Sequence, residues 1–272
     1  MKPRPGDLPP LTRRSFLVGA ASLAALAACG SGGDDTPAAQ STAGSTGVAP
    51  APSASSAGAP PPSATPGPAR FVDAGPGSGG QVALTFHTDG DLELADQLLA
   101  VIDDRHVPIT AFIVGEWLDA NPSYAGRLVD AGHELANHTY THPDFDQLDV
   151  DTMTDEVVRC RDVITRLSGN GGSCFRPSGT ADGTSTPAQS VLDVAGGAGY
   201  PVVLGFNVDP YDYQDPGADA VRSRTLAGVA PGAIVSLHFG HPGTISALPA
   251  ILDGLESRSL EPVHVSTLLQ LP

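Results

Sequence analysis

Two histidines four residues apart, His138 and His142, carry the first chemical signal in this 272-residue chain. That spacing puts both imidazoles on one side of a helical turn, or brings them together across a compact loop. So placed, they can bind one divalent metal once a carboxylate completes the set. Other reactive groups recur along the chain. His87, Asp89 and Asp91 sit close together after a short apolar run, and Arg176 stands within Phe175-Arg176-Pro177. Asp209 and Asp212 are three apart, as are His238 and His241.

These groups need elements to hold them. Gln81 to Phe86, Ile109 to Val114, Glu134 to Asn137, Ser173 to Arg176, Pro201 to Val208 and Ala233 to Leu237 read as short strands rich in strand formers. Helical spacing fills the intervals: Leu92 to Arg105, Pro122 to Ala131, Asp149 to Leu167, Pro187 to Ala198, Ala218 to Ala227 and Ile245 to Leu255. Asn121 is the expected cap of the second helix, with Pro122 in its first turn. Pro262 to Leu271 closes the series. Alternation of this kind implies parallel strands joined by helices, hence an α/β sheet or barrel. In such barrels the chemistry sits at the carboxyl ends of the strands. The polar groups follow that rule: each set named above comes directly after one of the strands.

Composition narrows the partners. Lys2 is the only lysine, and from Gly30 onward 10 Arg face 29 Asp and Glu. Such a balance excludes an electrostatic footprint for nucleic acid and favours a neutral or cationic substrate. The N-terminus reads as an address. Arg13-Arg14 precedes the apolar run Phe16 to Ala28, which is too short to span a bilayer as a mature helix. Thr12 to Leu17 resembles a twin-arginine export signal, and Leu26-Ala27-Ala28-Cys29 resembles a lipobox. That second likeness implies cleavage before Cys29 and lipid on its sulfur, anchoring the exported protein at the outer face of a bacterial membrane. Residues 30–78 are Ala, Ser, Gly, Pro and Thr without apolar periodicity, and read as a disordered tether with a reach of roughly 35–40 Å. About 195 residues from Gly79 onward remain, enough for one domain with a large core. Oligomeric state has no signature in the sequence.

That domain resembles the polysaccharide deacetylases, the NodB-homology carbohydrate esterases. Five motifs appear in order: Leu84-Thr85-Phe86 with Asp89-Gly90; Gly132-His133-Glu134-Leu135 with Asn137-His138-Thr139-Tyr140-Thr141-His142; Phe175-Arg176-Pro177-Ser178-Gly179; Asp209-Pro210-Tyr211-Asp212-Tyr213; and Ile234-Val235-Ser236-Leu237-His238. The resemblance implies a distorted (β/α) barrel with fewer repeats than eight. It also implies a divalent metal, zinc above all, held by one carboxylate and the pair His138 and His142. His238 is then the acid that protonates the leaving group, Arg176 steadies the base, and Asp209 holds Arg176. Tyr213 and Leu237 are the implied substrate contacts. The implied substrate is an acetylated glycan.

The first motif departs from the family pattern, which has two adjacent aspartates, base then ligand. Here the stretch is Phe86-His87-Thr88-Asp89-Gly90-Asp91. Threonine lacks a suitable pKa, whereas a neutral imidazole is a competent base. The expectation is therefore Asp89 on the metal and His87 as base, with Asp91 as the alternate. His241 is a possible addition to the site. Cys160 and Cys174 are the only cysteines after Cys29. An oxidising exterior favours a disulfide between them, closing a loop of about 15 residues and contributing roughly 3 kcal/mol in the chain-entropy model.

Overall fold

The computed structural model describes residues 67–180 and 182–271. Five strands carry the architecture: β2 Gln81–Thr88, β3 Thr110–Ile113, β4 Glu134–Asn137, β5 Val202–Leu204 and β6 Ile234–His238. Before them comes β1 Arg70–Val72, and after them β7 Glu261–Pro262. Helices connect them: α1 Leu92–Asp104, α2 Gly115–Ala120, α3 Ser123–Asp130, α4 Val150–Ser168, α5 Gln189–Gly197, α6 Ala218–Gly228, α7 Pro242–Glu256 and α8 Val265–Leu269.

All strand pairings are parallel. The central order is β4-β3-β2-β6, with β7 beside the start of β2 and β1 beside β5. Single parallel bridges complete the circuit. Phe175 joins Asn137 on one side and Val203 on the other, and Val208 joins Val235. The result is a small, distorted α/β barrel closed by isolated bridges where a regular barrel would have full strands. The expected strand Ser173 to Arg176 is thus reduced to one bridging residue.

Burial explains why the elements form where they do. β2, β3, β4 and β6 are largely buried on both faces because helices cover one side and the barrel interior the other. On α1 the buried positions are Ala95, Leu98, Leu99 and Ile102. On α4 they include Met153, Val157, Cys160 and Ile164, which recur at helical spacing along one face. Asp149 caps α4 by accepting from the Thr152 N–H at 2.8 Å, and Gly169 ends it at φ 88°, a left-handed backbone that glycine adopts without strain.

Three expectations are corrected. Ordered structure begins before residue 79: Arg70–Val72 pairs with Val202–Leu204, and Ala69 is buried, so the last part of the expected tether belongs to the domain. The rest of that tether, the export signal and Cys29 lie outside the described residues. Pro122 itself is the cap of α3, while Asn121 ends the preceding helix α2, which spacing did not reveal. Finally, Cys160 and Cys174 are free thiols, both fully buried. Cys160 packs under the helices and donates to the Ile113 carbonyl at 3.2 Å, whereas Cys174 lies in a different apolar cluster with Phe112 and Val202.

Candidate active site

Strand alternation decides which residues of the altered first motif reach the barrel interior. Side chains two apart share a face. Thr85 and His87 both accept from the Arg176 guanidinium, at 2.9 and 3.0 Å, so their face is the interior. Thr88 points the other way and accepts from the Val114 N–H at 3.2 Å. Asp89 continues the inward face. It lines a cavity of about 310 Å³ together with His87, His138, His142, Asp209, Tyr213 and His238. The cavity lies at the carboxyl ends of the strands, as the barrel rule requires.

The register of β2 against β6 sets His87 beside His238. His87 Nδ1 and His238 Nε2 are 2.8 Å apart. Arginine can only donate, so His87 Nε2 accepts from Arg176, and the proton on His87 must sit on Nδ1 and point at His238 Nε2. His238 in turn carries its proton on Nδ1, 2.7 Å from Asp212 Oδ1. The order of donation is therefore Arg176, His87, His238, Asp212. Burial, then the neighbouring imidazoles His138 and His238, and Arg176, hold His87 well below its ordinary 6.5. The ring is neutral, but neither nitrogen is open to a water.

Arg176 is fully buried and lies over the Phe112 ring at 4.0 Å. Besides Thr85 and His87 it donates to the Leu204 and Gly205 carbonyls. Burial brings it down to about 9, so it keeps its charge at neutral pH. Asp209, expected to hold Arg176, instead accepts from the Tyr211 N–H at 2.7 Å. Burial raises its pKa.

His138 is oriented for a ligand. Its Nδ1 donates to the Arg176 carbonyl at 2.9 Å, which fixes the lone pair on Nε2. That Nε2 is buried and has no partner, and neither has the buried Oδ1 of Asp89. Burial first, then the nearby His142, holds His138 well below 6.5, in the neutral form a metal needs. The His142 ring stands 4.9 Å from that of His138. Among the described residues no three His, Cys, Asp or Glu side chains are already drawn into a closed ligand group. The donor set still fits a divalent cation: two orphaned buried donor atoms and an exposed imidazole face one cavity, and one carboxylate with two imidazoles is a catalytic zinc set.

The remaining expectations divide. Tyr213 lines the cavity with its ring 5.4 Å from His238. Leu237 does not: it is fully buried on the opposite face of β6, paired with Phe86. Asp91 is also removed, because it caps α1 by accepting from the Glu93 and Leu94 N–H groups. His241 stands at the rim, 5.8 Å from His238 between ring centroids, and is tied to Asp215 at 2.9 Å. Sequence reasoning gave Asp212 no role. It is buried and accepts from the His238 backbone N–H, the His238 ring and the Thr244 hydroxyl, which makes it the group that orients His238. Its position three residues after Asp209 was the available signal.

The class of protein follows from barrel and site together, and comparisons agree. The profile of the polysaccharide deacetylase family matches residues 74–203. A chitooligosaccharide deacetylase of Bradyrhizobium sp. (strain ANU 289) is 32% identical over 198 residues, covering 66% of this chain and 86% of that protein. Among solved structures, the Bc1960 peptidoglycan N-acetylglucosamine deacetylase superposes with a TM-score of 0.68 at 25% identity, over 74% of this chain and 94% of that one. A mutant of BA3943, a CE4 family pseudoenzyme with restored enzymatic activity, gives 0.67 at 25% identity, over 73% and 71%. The chain belongs to the polysaccharide deacetylase family, hydrolases of carbon–nitrogen bonds other than peptide bonds.

Proposed function

We propose that this protein removes acetyl groups from N-acetylated sugars of a polysaccharide, of the peptidoglycan or chitin type, with a divalent metal held by Asp89, His138 and His142. The observation that carries this reading is the gathering of Asp89, His138, His142 and His238 around one cavity. Zinc bound there would polarise the acetyl carbonyl and make its water acidic.

The chain's own residues then handle one proton. His87 stands where the base is expected, but its lone pair faces Arg176. The available base is His238, a residue of the cavity lining, whose Nδ1–H is fixed on Asp212 and whose Nε2 accepts from the neutral His87 ring. Breaking the weaker bond from His87 frees Nε2 to take the proton of the attacking water. The same nitrogen returns it to the sugar nitrogen as the carbon–nitrogen bond breaks, leaving acetate and a free amine. Arg176 and His87 hold the back wall, and Tyr213 packs beside the sugar.

A second reading has its own support. The carboxylate base of the first motif is missing, and a structural neighbour is a pseudoenzyme, which favours a glycan-binding protein without turnover. An esterase for O-acetyl groups, of the xylan type, uses the same chemistry. Incubation with N-acetylglucosamine oligomers and with acetylated xylan separates all three. Acetate from the oligomers alone supports the proposal, acetate from xylan alone the esterase, and binding without acetate the glycan binder.

We also propose that the domain is exported and lipid-anchored at Cys29, on the strength of the twin arginines and the Leu26-Ala27-Ala28-Cys29 motif.

A further inference from the structure

The two histidines of the ligand pair are held in different ways. His138 has its own hydrogen bond, from Nδ1 to the Arg176 carbonyl. His142 is exposed, and among the described residues its ring makes no hydrogen bond and stands 4.9 Å from that of His138. Its place therefore depends on the backbone that leads to it. That backbone is unusual: Thr139 sits at φ 68° and His142 at φ 57°, both in the left-handed region. For residues with a β-carbon each such conformation costs about 1–3 kcal/mol and persists only where neighbours enforce it.

Thr139 and Tyr140 are enforced from several sides. The Asn137 side chain accepts from the Thr139 N–H, and the Thr139 and Tyr140 carbonyls accept from Gly115 and Glu116. Thr141, the residue directly before His142, is held by a single side chain. Glu156, on the second turn of α4 and buried, accepts from the Thr141 N–H at 2.8 Å and from the Thr141 hydroxyl at 2.8 Å. Its Oε2 accepts from the Tyr140 N–H as well, also at 2.8 Å. One buried carboxylate thus satisfies three donors of a four-residue loop.

We infer that Glu156 is the positioning residue of the metal site, the one that holds His142 where it can share a cation with His138. The inference rests on the metal reading of the proposed function. Glutamine keeps an oxygen for the two backbone donors and an amide that can donate to the Thr141 hydroxyl; alanine keeps neither.

The test is calorimetric titration of the metal-free protein with zinc, alongside hydrogen exchange of the Tyr140 and Thr141 amides. The wild type binds one zinc. Glu156→Ala weakens that binding about 10–100-fold, the range for residues that orient ligands, and its two amides exchange faster while the barrel strands keep their protection. Glu156→Gln stays within several-fold of the wild type in both. If Glu156→Ala does not fold, Thr141→Val, which deletes one of the three bonds, replaces it with a smaller loss of zinc affinity in the same direction. Zinc affinity and amide protection unchanged in the folded variant overturn the inference and leave the metal reading standing. A wild type that binds no zinc overturns the metal reading, and the inference with it.

Discussion

At the scale of single residues, both imidazoles of the central pair have their nitrogens engaged, and the chemistry turns on which can be released. His87 Nε2 accepts from the charged Arg176, whereas His238 Nε2 accepts only from the neutral His87 ring. His238 is oriented from behind by Asp212. His87→Ala is therefore expected to keep turnover within about tenfold of the wild type. Asp212→Asn should lower kcat by about 10²–10⁴-fold, as loss of an orienting carboxylate does for a catalytic imidazole. Steady-state acetate release checks both, and a His87→Ala variant as damaged as Asp212→Asn would return His87 to the centre of the chemistry. The sequence disclosed the identities of these residues but not their bonds. Asp212 was visible by spacing; its grip on His238 depends on the chain folding back across β6, which no local pattern encodes. The altered first motif could be read both ways until alternation along β2 turned His87 and Asp89 inward and Thr88 outward.

At the scale of elements, periodicity located the strands and the longer helices, because apolar runs and the buried stripe of α4 follow from burial itself. It missed α2, only six residues long, and it placed a strand at Ser173 to Arg176 where one bridging residue suffices. The disulfide failed for a spatial reason. Proximity in sequence and an oxidising exterior say nothing of layers, and the two cysteines belong to apolar clusters in different layers. Burial raises both thiols, Cys174 to about 12. The native domain should show neither thiol to a labelling reagent near pH 8, and the unfolded, unreduced domain should show two; a count of zero after unfolding would restore the disulfide. Close packing also fixes Gly115 at the start of α2. A β-carbon there would lie 2.6 Å from the Tyr140 ring and 3.1 Å from the Cys160 Cα. Gly115→Ala should cost about 1–3 kcal/mol in urea unfolding, the usual range for overpacking, and an unchanged midpoint would show that the contact relaxes freely.

At the scale of the whole molecule, the buried histidines make stability depend on pH. His87, His138 and His133 all lie below 6.5 in the folded protein, each chiefly through burial. Below that pH the unfolded chain takes up protons that the folded one refuses, so stability falls as the solution is acidified from about 6.5. Each such group contributes up to about 1.4 kcal/mol per pH unit. The metal-free protein should therefore melt at a lower temperature at pH 5.5 than at pH 7, well above the range where the carboxylates Asp96, Asp149 and Asp182, all lowered by hydrogen bonds, begin to matter. An equal melting temperature at the two values would mean that these rings are protonated in the fold. Bound metal would keep protons off His142 as well as His138 and so steepen the dependence.

The central claim is that hydrolysis depends on a cation held by Asp89, His138 and His142. The most direct measurement is acetate released from N-acetylglucosamine oligomers by the same protein preparation in three states: as zinc-loaded protein, after chelation, and after zinc is returned. The account predicts release, loss and recovery, with one zinc per chain and with His142→Ala silent throughout. Release that continues undiminished in the metal-free protein, or none from a chain carrying its full zinc, would contradict it.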